Sequence, residues 1–269
     1  MTKTTKSLKS KKLYLFDMDG TIYIDNNLFD GVTELLDYII NIGGRYMFIT
    51  NNSSKNATDY VKKLNNMGIK AETEDFFTST DATISFLLKK HYKKIYTFGT
   101  KSFTKQLHNA GLPVTDTLCD NIDCLCMGFD TELTFKKLED ACILLNKGVD
   151  YIATNPDPIC PVWYGYVPDC GSISQILFNA TKRNPKFIGK PEPEIINEAI
   201  NKTKFTKEET VVIGDRLYTD IAGGLNAGVS TIYVLSGEGT INDIEKYNIH
   251  PDYIFENIKQ IYDSIKGDH

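Results

Sequence analysis

Short runs rich in β-branched and aromatic residues alternate along the chain with longer segments whose apolar positions recur at helical spacing. Leu13 to Asp17 reads as a strand, Val32 to Ile42 as a helix ended by Gly43 and Gly44, and Tyr46 to Thr50 as the next strand. A helix from about Lys55 to Asn66 closes at Gly68. Towards the other end, Thr210 to Gly214 is a strand, Thr219 to Asn226 a helix stopped by Gly228, Thr231 to Leu235 a strand, and Asp252 to Phe255 an edge strand. Between these halves stands a second alternating series: strand Lys94 to Phe98, helix Ser102 to Asn109, strand Ile122 to Phe129, helix Thr134 to Asn146 and strand Tyr151 to Ala153. Such alternation predicts an α/β protein, a parallel sheet covered by helices, with a second small α/β domain in the middle. The segment from Asn155 to Gly171 carries four of the chain's nine prolines together with Trp163, Tyr164 and Tyr166, and is expected to be a long structured loop.

The chain has 269 residues, 41% of them hydrophobic, enough for one large core or two small ones. Thirty Lys and Arg against 35 Asp and Glu give a net charge of -5 without a basic face, which argues against a nucleic-acid partner. Apolar stretches such as Met47 to Ile49 and Val211 to Ile213 are too short to cross a bilayer, so no membrane association is expected. The basic N-terminus lacks the apolar centre of a secretory signal and reads as a tail, and six cysteines are too few for a disulfide scaffold. A cytoplasmic location follows as an expectation. Cys124 and Cys126 lie two apart on a strand, but without a CxxC or a histidine at ligand spacing they read as buried thiols rather than a zinc site.

The sharpest chemical signal is Asp17-Met18-Asp19-Gly20-Thr21 at the end of a buried-type strand. In open α/β sheets ligands bind beyond the carboxyl ends of the strands, where this motif would present both carboxylates. Gly214-Asp215-Arg216-Leu217-Tyr218-Thr219-Asp220 follows another strand; alone it would read as a helix start with acidic residues near its dipole. With Asp17 it could supply the hard oxygen ligands that Mg²⁺ prefers. Thr50-Asn51-Asn52-Ser53-Ser54 ends a strand before a helix, and serves equally as a phosphate cradle or a plain helix cap. Lys190, in Ile188-Gly189-Lys190-Pro191-Glu192-Pro193, would by itself be ordinary solvated surface.

The order of these pieces resembles the four motifs of the haloacid dehalogenase superfamily of phosphohydrolases. FITNNSS, ATNPDP, VPDCGS, IGKPEP and GDRLYTDIAGG are similar to its NagD-like or p-nitrophenyl phosphatase branch, and the match covers nearly the whole chain. The resemblance implies a Rossmann-like doubly wound parallel-sheet core, residues 1–81 and 182–269, with an inserted α/β cap at 82–181 that sets substrate specificity. It implies that Asp17 attacks phosphorus, that Asp19 is the general acid and base, and that Mg²⁺ is held by Asp17, Asp215 and the main-chain carbonyl of Asp19. Thr50, Asn51, Asn52 and Lys190 would bind the phosphoryl group, and Asp220 would orient Lys190 or a water on the metal. Arg216 is as consistent with a structural salt bridge as with a role in the site.

Asn155 and Asp157, set among the aromatics of the proline-rich segment, are the expected readers of the rest of the substrate; the alternative is that this segment fills the cap core or a subunit interface. The expected activity is Mg²⁺-dependent hydrolysis of a small phosphorylated metabolite such as a sugar phosphate or nucleotide. A phosphotransferase or phosphomutase would use the same aspartyl-phosphate, and a phosphometabolite-binding protein without turnover is a third reading, against which the intact Asp17 and Asp19 weigh. No GxGxxG follows the first strand, which disfavours a dinucleotide enzyme. Natural substrate and oligomeric state are left open, a homo-oligomer through the cap being one assembly the sequence allows.

Overall fold

The computed structural model describes residues 8–53, 55–162 and 164–267. In chain order its elements begin with β1 (Leu13–Phe16), β2 (Tyr23–Ile24), β3 (Asn27–Leu28), α1 (Val32–Asn41), β4 (Arg45–Thr50), α2 (Ala57–Asn66) and β5 (Phe76–Thr78). There follow α3 (Ser79–Leu88), β6 (Ile95–Phe98), α4 (Lys101–Asn109), β7 (Val114–Thr115), β8 (Cys124–Met127), α5 (Phe135–Asn146) and β9 (Asp150–Ala153). The middle part ends with β10 (Ile159–Val162), β11 (Gly165–Pro168), α6 (Cys170–Thr181) and β12 (Lys186–Phe187). The last part holds α7 (Glu194–Asn201), β13 (Thr210–Gly214), α8 (Ala222–Ala227), β14 (Ser230–Val234), α9 (Asp243–Tyr247), β15 (Tyr253–Phe255) and α10 (Ile258–Gly267). No helix of the described residues is long and apolar enough to cross a membrane.

Two compact units share the chain. One ends its first part at Thr50, resumes from Ala57 to Phe77 and again from Lys190; the other takes Asn51–Asn56 and Thr78–Gly189. In the first unit a six-stranded sheet runs β15-β14-β13-β1-β4-β5. β1 pairs in parallel with β4 on one side and β13 on the other, and β13, β14 and β15 continue in parallel. The chain thus builds outward from β1 in one direction and later returns to build in the other. The carboxyl end of β1 is therefore a topological switch point, where an open α/β sheet leaves a crevice. Every residue of β1, β13 and β14 is buried, as expected of parallel strands covered on both faces. Val32, Leu35, Leu36 and Ile39 of α1 lie at helical spacing and join Phe16, Phe48, Tyr60, Leu64 and Ile261 in one core.

The second unit is α/β in its own right, a parallel five-stranded sheet ordered β12-β9-β8-β6-β7 with Phe98, Leu125, Met127, Leu144, Ile173 and Leu177 in its core. Cys124 and Cys126 are buried free thiols there, and burial pushes both thiols up. This unit reaches beyond the expected 82–181 at both ends. At the far end the reason is visible in the backbone, because β12 adds to the sheet through its ladder with β9.

Several details differ from the pattern-based expectation. The segment from Asn155 to Gly171 is not simply a loop: β10 and β11 pair as an antiparallel hairpin, and α6 starts at Cys170 with Asp169 as its cap. Trp163 lies outside the described residues, as does Ser54. The helix expected at Thr219 begins earlier as a π-helical turn, Leu217–Ile221, a wide form found mostly at functional sites, and only then continues as α8. Strand β7, with two residues, and β12, with two, are too short to show a period, and the sequence pattern passed over both.

Candidate active site

Three adjacent strand ends deliver the motif residues of the first unit. The Asp17 N–H donates to the Ile213 carbonyl at 2.8 Å, extending the β1 to β13 ladder one residue and fixing where its side chain leaves the sheet. Thr50, buried, ends β4, and Asp215 follows the last residue of β13. Lys190 meets them from the start of the unit's final segment. Its ammonium is 2.6 Å from Asp17 Oδ1 and 2.6 Å from Asp220 Oδ1, and donates to the Ile49 carbonyl at 3.2 Å. Only 2% of the Lys190 side chain is exposed, so the ion cannot rely on water and needs those partners. Asp220 sits on the π-helical turn, and its other oxygen accepts the Arg216 N–H at 3.1 Å.

Asp215 is gripped from three sides. Thr21 Oγ1 donates to Oδ1 at 3.1 Å and the Glu238 N–H to Oδ2 at 2.9 Å. Gly20 packs against it with φ +85, and a Cβ there would lie 2.5 Å from Asp215 Oδ2, so the position requires glycine on both counts. Ser236 Oγ donates to the Gly20 carbonyl at 2.9 Å, tying the loop after β14 to the loop after β1. Arg216 makes a salt bridge from Nε to Glu238 Oε2 at 2.8 Å, which holds the same loop. Thr21 closes the first motif, whereas Ser236 and Glu238 gave no sign in the sequence, since nothing local marks residues whose partners lie 216 and 23 positions away.

Burial, then the neighbouring Asp17, pushes the Asp215 carboxyl up to about 6, against the pull of the Glu238 N–H, Arg216 and Thr21. Burial and Asp17 likewise push the Asp220 carboxyl up, against Lys190. Burial alone would discharge Lys190, but Asp17 and Asp220 outweigh it and hold the ammonium well above its ordinary range. Asp17, Asp215 and Asp220 each bring a carboxylate oxygen within 4.8 Å of the others, and Lys190 bonds only Asp17 and Asp220. That crowding of negative charge at three hard oxygen ligands fits a divalent cation.

Asp19 stands at the mouth, its side chain 56% exposed against 16% for Asp17. Tyr23, on β2, donates to Asp19 Oδ2 at 3.2 Å, and the Lys63 ammonium of α2 is 3.6 Å from Oδ1. The polar residues of the second unit form their own network. Asn51 Nδ2 and Asn155 Nδ2 both donate to Asp157 Oδ2, at 2.7 Å and 2.9 Å, and Thr154 Oγ1 reaches Ser53 Oγ at 3.0 Å. Asn155 is fully buried and Asp157 nearly so, their polar atoms turned to each other and to Asn51. Asn52 is half-buried, with Nδ2 4.0 Å from Cys160 Sγ.

Residues 14–113 match the family described as haloacid dehalogenase-like hydrolase, and residues 187–261 the family described as HAD-hydrolase-like. The acid sugar phosphatase of Staphylococcus haemolyticus is 35% identical over 252 residues, 93% of this chain and 95% of that one. The chain belongs to the haloacid dehalogenase-like hydrolases. Within them it is a NagD-like phosphatase. The 4-nitrophenylphosphatase of Thermotoga maritima superposes with a TM-score of 0.90 at 39% identity, covering 96% of this chain and 98% of that structure. NagD of Escherichia coli K-12 superposes with a TM-score of 0.86 at 32% identity, covering 93% and 98%. In this phosphatase Lys190 links Asp17 to Asp220.

Proposed function

We propose that this phosphatase hydrolyses a small phosphorylated metabolite, of the sugar-phosphate or nucleotide kind, in two displacements at Asp17. The observation that carries the reading is the buried Lys190 ammonium bonded to Asp17 on one side and Asp220 on the other. It holds one Asp17 oxygen in place while leaving 16% of that side chain open to a reactant. In the first displacement an Asp17 carboxylate oxygen bonds to phosphorus, the bond to the leaving oxygen breaks, and Asp19 gives that oxygen its proton. In the second, water bonds to phosphorus, the Asp17 oxygen departs, and Asp19 takes up the water's proton. Splitting one hard substitution into two leaves the same site to stabilise both.

Mg²⁺, held by Asp17, Asp215 and the main-chain carbonyl of Asp19, would supply charge neutralisation between the anionic nucleophile and the anionic phosphoryl group. Lys190, the Thr50 hydroxyl and the Asn51 N–H, next along the chain, are the donors proposed for the equatorial oxygens, where transition-state charge collects. Asn155 and Asp157 act in this reading by holding Asn51, and the exposed Tyr164 and Tyr166 of the β10 to β11 hairpin are proposed to read the rest of the substrate. The acid sugar phosphatase among the relatives supports sugar phosphates as the first class to try. Phosphate release from a panel of phosphorylated metabolites, with Mg²⁺ and with chelator, tests the proposal. Release that is abolished by chelation and by Asp17→Asn upholds it, and release indifferent to both overturns it.

A further inference from the structure

We propose that Tyr23 and Lys63 are positioning residues that hold the Asp19 carboxylate in place for proton transfer, an inference that rests on reading Asp19 as the general acid and base. More than half of the Asp19 side chain faces solvent, and an unrestrained aspartate there would sample several rotamers. A proton donor works only within hydrogen-bond reach of the atom it serves, so its rate falls with the fraction of time spent elsewhere. Each Asp19 oxygen meets a separate restraint: the Tyr23 phenol at 3.2 Å on Oδ2 and the Lys63 ammonium at 3.6 Å on Oδ1.

The restraints are themselves braced. Tyr23 is fully buried, and its carbonyl accepts the Gly20 N–H at 2.8 Å, so the phenol is fixed to the loop that carries Asp19. The Lys63 ammonium lies 3.7 Å over the Tyr23 ring centroid, a cation–π contact that sets it between the ring and the carboxylate. Tyr23 comes from the β2 to β3 hairpin and Lys63 from α2, so Asp19 is held by two elements that do not move together by covalent connection.

The test compares phenyl phosphate, a poor leaving group, with p-nitrophenyl phosphate, a good one of similar shape, in wild type, Lys63→Met, Tyr23→Phe, Asp19→Asn and the double variant Lys63→Met/Asp19→Asn. Loss of a positioned acid costs most where the leaving oxygen needs its proton. For each single variant kcat on phenyl phosphate should drop about tenfold further than on p-nitrophenyl phosphate, a part of the roughly 10²- to 10⁴-fold worth of acid–base catalysis. Lys63→Arg should recover most of the Lys63→Met loss, and the double variant should be no slower than Asp19→Asn, because Lys63 acts through Asp19. Equal losses on both substrates, or losses that multiply in the double variant, would overturn the proposal. If Asp19→Asn itself shows no dependence on the leaving group, the acid–base reading of Asp19 falls too, whereas a steep Asp19→Asn with flat Lys63→Met and Tyr23→Phe removes this inference alone. Lys63 is partly exposed on its helix, so Lys63→Met gives an answer even if Tyr23→Phe unfolds.

Discussion

Lys190 shows how one side chain can be held by its surroundings and hold them in turn. Its charge survives burial because two carboxylates stand 2.6 Å away, and the ammonium in turn fixes one oxygen of each. Lys190→Ala should therefore abolish turnover and lower stability by about 3 kcal/mol, the order expected when one member of a buried ion pair is removed. Denaturant titration beside an activity assay measures both, and a fully stable variant would show the pair to be solvated. Asp17→Asn should fold with an unchanged melting temperature or a raised one, since it relieves like-charge crowding, and should lose at least 99% of activity (roughly the 10²-fold scale of a lost nucleophile). Asp17 drew attention from the sequence because it ends a strand two residues before another acid. Lys63 could not, since a lysine on an amphipathic helix has no local mark of function.

The second unit holds buried polar groups at Asn155 and Asp157 and exposed aromatics on its β10 to β11 hairpin. Asp157 accepts from two buried amides, so Asp157→Ala removes a partner from both Asn51 Nδ2 and Asn155 Nδ2, the latter keeping Asp169 Oδ1 at 3.4 Å, and should cost about 1–3 kcal/mol. Tyr166, 60% exposed on the β10 to β11 hairpin, has little to lose on truncation. Tyr166→Ala should leave the melting temperature within a degree or so (about the effect of an exposed substitution) while lowering kcat/KM for the preferred metabolite about tenfold and sparing p-nitrophenyl phosphate. Equal losses on the two substrates would remove the hairpin from substrate choice. The sequence reading placed recognition on Asn155 and Asp157 because amides and carboxylates among aromatics look like a ligand site. The fold buries Asn155 and Asp157 and leaves Tyr164 and Tyr166 exposed, a difference that no local pattern carries.

At the scale of the whole molecule, stability, pH and metal are linked through the crowded carboxylates. The Asp215 carboxyl is raised in the fold to about 6 from an unfolded value near 3.9 (roughly, by model peptides), so the folded state disfavours its ionised form. A raised acid costs stability above its folded pKa, and the cost is relieved as pH falls through about 6 towards the unfolded value. In chelator, Asp215→Asn should therefore melt several degrees above wild type at pH 8, and the gap should narrow to about half by pH 5 and close only near the unfolded value of about 4. Mg²⁺ needs the ionised carboxylate, so its stabilisation of wild type should grow from pH 5 to pH 8 and be largely lost in Asp215→Asn. Scanning calorimetry at the two pH values, with and without Mg²⁺, checks both signs; a gap that widens on acidification would show that crowding at Asp215 is not what sets its energy.

The alternation of short apolar runs with helical segments was enough to specify an α/β chain with an inserted α/β unit, because burial period is a local property written into consecutive residues. The same locality exposed Asp17, Asp215 and Thr50, each the residue at or just past the end of a buried strand. What the chain order could not supply was everything that depends on long-range register. That β1 lies between β4 and β13, that β12 belongs to the second sheet, and that Lys190 is buried between Asp17 and Asp220 are decided by pairing of segments far apart in sequence. A lysine after a glycine reads as solvated surface until the tertiary structure withdraws its water, and only then does its charge demand partners and acquire a role.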